Sequence, residues 1–251
     1  FRFIKEKVSG LNERGNDMIT PRDIERKTMT EAKRKEAHKS WFAFYIGRPI
    51  SYCLTIPLLY TDISPNTITF ISILFAISGF CCLSFGISLT ARLAGVAFFF
   101  LWNMADGIDG NIARYKELKS ENGDLLDTLG GYISMTLILL GMGIAACYDP
   151  SEHIYFSPRL PVILGGISSI ETLIPRVLMH RKIAISKKSD SAEKLKDKET
   201  YGLAKIIILN ICDPAGFQEV FMLICVLAGL CTEFTIAFFI INTAVMIYTC
   251  E

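Results

Sequence analysis

The sequence predicts an all-α integral membrane protein, with six transmembrane helices preceded by an interfacial amphipathic helix. Three observations predict it. Hydrophobic residues make up 51% of the 251 positions, and the mean hydropathy is positive. The apolar residues gather into several runs of roughly 18 or more with little charge, long enough to cross a hydrocarbon core of about 30 Å. Lysine and arginine are unevenly shared among the connections between those runs, as the positive-inside bias requires.

Residues 1–40 form a polar arm or linker, and residues 41–251 the membrane domain. The arm has mixed charge and no sustained apolar face beyond Phe1, Phe3 and Ile4. Its stretch KTMTEAKRKEAHKS reads as one solvated helix, with Glu31 and Lys35 at i,i+4 spacing. The arm is either a cytoplasmic collar or a basic segment lying on anionic headgroups. Phe at the first position predicts that the natural chain starts further upstream.

Residues 41–60, WFAFYIGRPISYCLTIPLLY, are apolar but interrupted by Arg48, Pro49 and Pro57, with aromatics crowding both ends. That pattern suits a helix lying in the interface plane, its Trp and Tyr at headgroup level. Ser64 then serves as a cap and Pro65 as the first helical residue of the next element. The predicted spans are 66–87, 91–114, 123–147, 159–181, 214–231 and 233–250. Between the fourth and fifth, 182–202 reads as a hydrophilic lysine-rich loop, and LAKIIILNICDP as a half-embedded turn broken at Asp213-Pro214.

The N-terminal arm, the 115–122 loop and the 182–205 loop hold many basic residues, whereas 88–92, 148–158 and 231–233 hold little beyond Arg92. Both termini are therefore expected in the cytoplasm. A net charge of +1 gives no basic excess for nucleic acid, which is not an expected partner. The eight cysteines lie mostly in apolar runs without metal-type spacing, so they read as small buried hydrophobes and imply no disulfide framework.

The chemistry is expected between Leu101 and Tyr132, LWNMADGIDGNIARYKELKSENGDLLDTLGGY. Asp106 and Asp109, three apart, share a helix face at the end of one apolar run, and Asp127 stands at the start of the next. A naked carboxylate costs roughly 2.5–3.5 kcal/mol at the bilayer centre. Hard divalent cations with oxygen ligands offset such a cost. Gly110, Ala113 and Gly123 lack bulk where a ligand would approach the backbone, and Arg114 is a fixed positive charge suited to phosphate. Together they read as a metal–phosphate site on the cytoplasmic side.

Blander roles stand beside these. Asp124 suits the first turn of its helix as a cap, and Arg114 could snorkel to the interface. Asp106 and Asp109 stand near a helix C-terminus, where the dipole disfavours anions, so capping does not explain them. Arg176, His180, Arg181 and Lys182 form either a positive-inside anchor or a docking site for an anionic acceptor. Asn66 is a helix-start residue or a polar wall of the pocket. Glu219 is expected to face the bundle interior, whereas Glu233 and His153 read as outer surface.

The spacing Asp106-x2-Asp109-Gly110-x2-Ala113-Arg114-x8-Gly123-x3-Asp127 resembles the signature of the CDP-alcohol phosphotransferases, integral membrane enzymes. The PNTIT at 65–69 resembles the start of that family's first span, and RPIS at 48–51 a preceding segment in members that make inositol-phosphate compounds. The resemblance covers residues 48–131 and beyond them only the number of spans. It implies transfer of a phospho-alcohol group from a CDP-alcohol to an acceptor, with release of CMP. It also implies two Mg²⁺ or Mn²⁺ ions held by Asp106, Asp109 and Asp127. Gly110, Ala113, Arg114 and Gly123 would contact the CDP moiety, with Asn66 nearby. A homodimer is implied as well.

The chain departs from the pattern once. Gly131 stands where the family places its general-base Asp, leaving Asp124 as the nearest substitute. An acceptor that is already anionic, such as a lipid or polyprenyl phosphate, would need no base and would give Arg176, Arg181 and Lys182 a task. Two other readings remain open at this stage: a degenerate member acting as a nucleotide- or lipid-binding scaffold, and a transporter with a cation site. The transporter fits less well, because the acidic cluster lies at the membrane edge and no pair of broken helices is repeated.

Overall fold

The computed structural model describes residues 18–118, 120–149, 157, 159–186, 202–214 and 216–250. The described residues are mostly helical, with no strand among them. Two short helices come first, α1 (Pro21–Thr28) and α2 (Glu31–Ala37). A π-helical turn (Ala43–Gly47) leads into α3 (Arg48–Leu59). Then follow α4 (Pro65–Phe85), α5 (Leu89–Tyr115), α6 (Glu121–Ala145), α7 (Arg159–Ser186), α8 (Leu203–Cys212), α9 (Gln218–Ala228) and α10 (Cys231–Cys250).

Local chemistry starts these helices where the sequence indicates. Ser64, Ser88 and Ser120 each accept a hydrogen bond from the backbone N–H three residues on, capping α4, α5 and α6. Pro65 occupies the first turn of α4, where its missing N–H loses no bond. α9 ends at Gly229, whose φ of 69° is left-handed and open to glycine without strain.

α4 packs on both α5 and α6, α6 on α7, and α7 on α10, while α9 lies on α5. Glycines let these helices close. A Cβ at Gly143 would meet the Pro161 carbonyl oxygen at 2.6 Å, and one at Gly165 the Leu139 carbonyl oxygen at 2.7 Å. Small residues at such crossings allow backbones to approach, the usual device where lipid supplies no hydrophobic drive between helices. One core joins Leu83, Phe99, Trp102, Met142, Met222 and Phe238. A second, at the other end of α5, joins Ile24, Tyr52, Ile68, Ile108, Ile112 and Tyr115.

Polarity is distributed inside out. Phe70, Ile71, Leu74 and Ile77 of α4, Ile163, Ile167 and Ile170 of α7, and Ile240 and Ile247 of α10 face outward. Ser72, Ser134, Ser168, Glu171 and Asn242 are buried. Among the described residues, four helices are long and apolar enough to cross a membrane: Pro65–Phe85, Glu121–Tyr148, Arg159–Lys182 and Cys231–Thr249. α5 is longer, at 27 residues, but carries Arg92, Asp106, Asp109 and Arg114. The expected span over 214–231 differs more. α9 has 11 residues, about 16 Å of helix, because the chain turns between α8 and α9, where the Phe217 N–H donates to the Asn210 carbonyl oxygen at 2.7 Å. The stretch before it, expected as a half-embedded turn, is the regular helix α8 and breaks at Asp213-Pro214 as anticipated.

The arm departs from the expected single solvated helix. Thr30 caps α2 and splits the segment. Ile24 is fully buried against α3 and α5, so α1 is docked. Among the described cysteines Cys231 is buried, but Cys53 and Cys81 are exposed on outward helix faces, contrary to the expected burial. Arg92 forms a buried ion pair with Asp149, whose Oδ2 accepts from the Cys231 N–H. The one arginine that blurred the charge bias is thus neutralised. Glu233 is exposed and Glu219 buried, as expected. Positions 1–17, 187–201 and His153 lie outside the described residues.

Candidate metal and nucleotide site

The last third of α5 meets the first turns of α6 beside the start of α4. This brings Asp106, Asp109 and Asp127 together, with one carboxylate oxygen of each within 4.8 Å of the others. Asp109 is buried, and its Oδ2 accepts the Thr69 hydroxyl at 2.5 Å. None of the described ion pairs includes any of the three. Three convergent oxygen donors, with the Arg114 charge near two of them, form a set that suits a hard divalent cation. The residues present fit the implied metal.

Around them the small residues do what their size allows. Arg114 folds back over Gly110, where a Cβ would meet its guanidinium nitrogens at 2.9 and 3.2 Å. A Cβ at Gly123 would meet Asn66 Oδ1 and Ser120 Oγ, each at 3.0 Å. Gly123 therefore lets Asn66, in the first turn of α4, close against the start of α6. Arg114 also donates to Asn111 Oδ1 at 3.3 Å. Asn111 in turn donates to Ser51 Oγ at 3.2 Å and Thr55 Oγ1 at 3.3 Å, so α3 braces the arginine through it.

A cavity of about 580 Å³ opens beside the carboxylates. Asn66, Thr69, Asp109, Gly110, Ala113, Arg114, Gly123, Asp124 and Asp127 line it, with Lys33 from α2. Its neighbour, about 520 Å³, runs under the arm between Lys27, Thr30, Lys33 and Arg114. A third, about 240 Å³, reaches Asp106 and Asp127 from the side of α3.

The expected donor-binding residues thus fall together in one cavity. Asp124 lines it too, exposed and outside the three-carboxylate cluster. Asn66 lies in the first turn of α4 and lines the cavity. Arg176 stands 3.9 Å from Asp213, and His180 Nδ1 pairs with the Tyr132 hydroxyl at 2.9 Å. Arg181 and Lys182 are exposed near the end of α7. Arg176, Arg181 and Lys182 line none of the three cavities. Sequence reasoning missed Thr69, Asn111, Lys33 and Arg48. Thr69 carried a usable signal, since it lies one helical turn after Pro65 in PNTIT.

A family model described as CDP-alcohol phosphatidyltransferase matches residues 62–248. The chain belongs to this family. A search of curated proteins returned no match. CDP-alcohol phosphatidyltransferases move a phospho-alcohol group from a CDP-alcohol to a lipid-type acceptor and use divalent metal, which suits the acidic cluster. The family and the four apolar helices together make this an integral membrane protein. The matched range holds all three clustered aspartates, Asn66 and Arg114. The arm and α3 fall before it, yet they supply Lys33 and Arg48 to the cavity walls.

Proposed function

We propose that this chain transfers a phospho-alcohol group from a CDP-alcohol to a membrane-associated acceptor and releases CMP. The observation that carries the reading is the convergence of Asp106, Asp109 and Asp127, the last two lining a nucleotide-sized cavity. In this reading the three aspartates hold two divalent ions, Mg²⁺ or Mn²⁺, which would supply charge stabilisation to the pyrophosphate. Arg114 neutralises phosphate charge. Gly110, Ala113, Gly123 and Asn66 shape the donor seat, and Thr69 holds the Asp109 carboxylate in place.

An acceptor oxygen attacks the phosphorus that bears the alcohol. The bond from that phosphorus to the bridging oxygen breaks, and CMP leaves with the electron pair. Because Gly131 supplies no base, a lipid or polyprenyl phosphate is the acceptor that fits best, its attacking oxygen needing no deprotonation. Asp124 is the alternative proton acceptor for a hydroxyl. Arg176, Arg181 and Lys182 would draw an anionic acceptor to the membrane surface.

The topology proposed with this function has six crossings. They are the four apolar helices, α5, and a composite crossing by α8 and α9. The helix from Trp41 to Leu59 lies in the interface, with Trp41, Tyr45 and Ile50 exposed and Phe42, Tyr52 and Leu59 turned inward. Both termini and the site face the cytoplasm, and the working unit is a homodimer.

Gly131 favours a second reading, a member that binds nucleotide or lipid without turnover. The experiment places purified protein in lipid nanodiscs with Mn²⁺, CDP-alcohols and lipid extract, and follows CMP. Release that vanishes in Asp109→Asn and Asp127→Asn supports transfer. CDP binding without CMP release from any donor and acceptor pair supports the scaffold instead. CDP binding that is indifferent to Mn²⁺ and to both substitutions would overturn the metal site.

A further inference from the structure

Glu219, in the first turn of α9, is fully buried. Neither of its carboxylate oxygens has a hydrogen-bond partner, and none of the described ion pairs includes it. Other buried carboxylates are better served. Asp149 pairs with Arg92, Asp109 accepts the Thr69 hydroxyl, and Glu171 accepts the Thr243 hydroxyl at 2.8 Å. Asn103 is a polar neighbour of Glu219, but its amide donates to the Pro214 carbonyl oxygen at 2.8 Å.

The fold turns this side chain toward the aspartate cluster. The Asn103 bond ties the turn before α9 to α5, and α9 then packs along α5. Asn103 and Asp106 are three residues apart on α5 and share a helix face. The charged groups that act on Glu219 are Asp106 and Asp213, both acidic, and Asp213 has Arg176 at 3.9 Å. A buried carboxylate beside two others is tolerated only when a proton or a cation offsets its charge.

The metal centre has room for that charge. Asp106, Asp109 and Asp127 bring three negative charges against four positive ones on two divalent ions, and Gly131 adds none. Glu219 lies outside the set of oxygens that converge within 4.8 Å, so it does not share the ion those three hold together. Asp106 has a second carboxylate oxygen to offer. The cavity of about 240 Å³, lined by Asn103, Asp106 and Asp127, gives a further ion a path to it.

We propose that Glu219 is a fourth carboxylate ligand of the metal centre, holding the second divalent ion together with Asp106. It supplies from α9 the carboxylate that α6 lacks at Gly131. The proposal rests on the metal-site reading of the three aspartates, and its test reads ion binding rather than turnover. The full chain in phosphatidylcholine nanodiscs is titrated with Mn²⁺, and free and bound ion are followed by electron paramagnetic resonance. Glu219→Gln keeps the side chain's size and replaces a carboxylate by an amide, a poorer cation ligand.

The parent binds two Mn²⁺ per chain, and its spectrum is that of a coupled pair bridged by Asp106. In Glu219→Gln the second ion binds at least about 10- to 100-fold more weakly, the cost of losing even a supporting group. The first ion keeps its affinity, and the spectrum becomes that of an isolated Mn²⁺. Glu171→Gln, in a glutamate held by Thr243 of α10, retains both ions. Should Glu219→Gln not fold, Glu219→Asp, which retracts the charge by one methylene, gives the same comparison. A parent that binds one ion, two ions at parent affinity in the Glu219 variant, or an equal loss in Glu171→Gln would each overturn the proposal. So would loss of both ions together. A parent that binds no Mn²⁺ defeats the metal-site reading itself, whereas two Glu219-dependent ions without CMP release defeat only the transferase.

Discussion

The Thr69 hydroxyl donates to Asp109 Oδ2 at 2.5 Å, joining α4 to α5 at the wall of the larger cavity. Thr69 is itself buried, and its hydroxyl also lies 3.2 Å from the Pro65 carbonyl oxygen. The bond fixes one carboxylate oxygen and leaves the other for a cation. Groups that orient a metal ligand in this way typically contribute 10- to 100-fold in affinity. Thr69→Val keeps the shape and removes the donor. Its Mn²⁺ affinity, measured by calorimetry with CDP present, should fall by about 10- to 100-fold, and Thr69→Ser should retain most of it. Parent-like affinity in Thr69→Val would mean that Asp109 is oriented by packing alone.

The same residue shows what the sequence could and could not convey. The spacing of Asp106, Asp109 and Asp127 declared a cluster, because helical periodicity fixes which residues share a face and a short connection returns the next helix beside it. Gly110 and Gly123 were legible for the same reason, as small residues where bulk is excluded. Thr69 and Arg48 arrive from segments 40 and more residues away, so only packing brings them in. The arm was misread because its apolar contribution is chiefly Ile24, with Ile19 beside it and Ala37 further on, and so few residues make no periodic signal. The fifth expected span was misjudged because apolar composition registers hydropathy but not the turn that divides α8 from α9.

Packing between α6 and α7 depends on two glycines that face each other. A Cβ at Gly143 would press on the Pro161 carbonyl oxygen at 2.6 Å and on Gly165 Cα at 3.2 Å. Backbone atoms cannot step aside as a side-chain tip can, so the helices must separate. Gly143→Ala should destabilise the protein by about 1–3 kcal/mol, the usual range for overpacking. Gly166→Ala is the control, because its Cβ would make only an ordinary 4.0 Å contact with Leu140. Thermal unfolding in detergent should show a lower Tm for Gly143→Ala and little change for Gly166→Ala. A Tm unchanged in both would mean that the crossing yields more easily than its geometry indicates.

The proposed topology places the two ends of α7 on opposite sides of the membrane. α7 has 28 residues, about 42 Å of helix, ample for one crossing. Single cysteines at Arg159 and Lys182, introduced where the native cysteines have been replaced, should react with an impermeant thiol reagent from opposite sides. The Lys182→Cys site should react only from the cytoplasm, because basic residues gather at that end. Labelling of both from one side would refute the crossing. Reaction from opposite sides but with Arg159→Cys cytoplasmic would reverse the orientation and place the aspartate cluster outside.

Gly131 stands one helical turn beyond Asp127 on α6, and a Cβ built there meets nothing within 4 Å. The position is therefore open space, and an aspartate can be installed without displacing a neighbour. Helix propensity does not oppose it, since Gly is less favourable than Asp in a helix interior. General-base catalysis contributes typically 10²- to 10⁴-fold. If hydroxyl acceptors reach this site, Gly131→Asp should raise their rate of CMP release by about that factor. For a phosphate acceptor the new carboxylate adds repulsion and assists no proton transfer, so the rate should fall. Faster hydroxyl transfer with slower phosphate transfer would support an acceptor that arrives already anionic. Revival of hydroxyl transfer in a parent inert toward both would show that the parent has lost turnover and serves as a binding protein. No change toward either acceptor would place the attacking group away from Gly131 and return Asp124 to consideration, to be tested by Asp124→Asn in the same CMP assay.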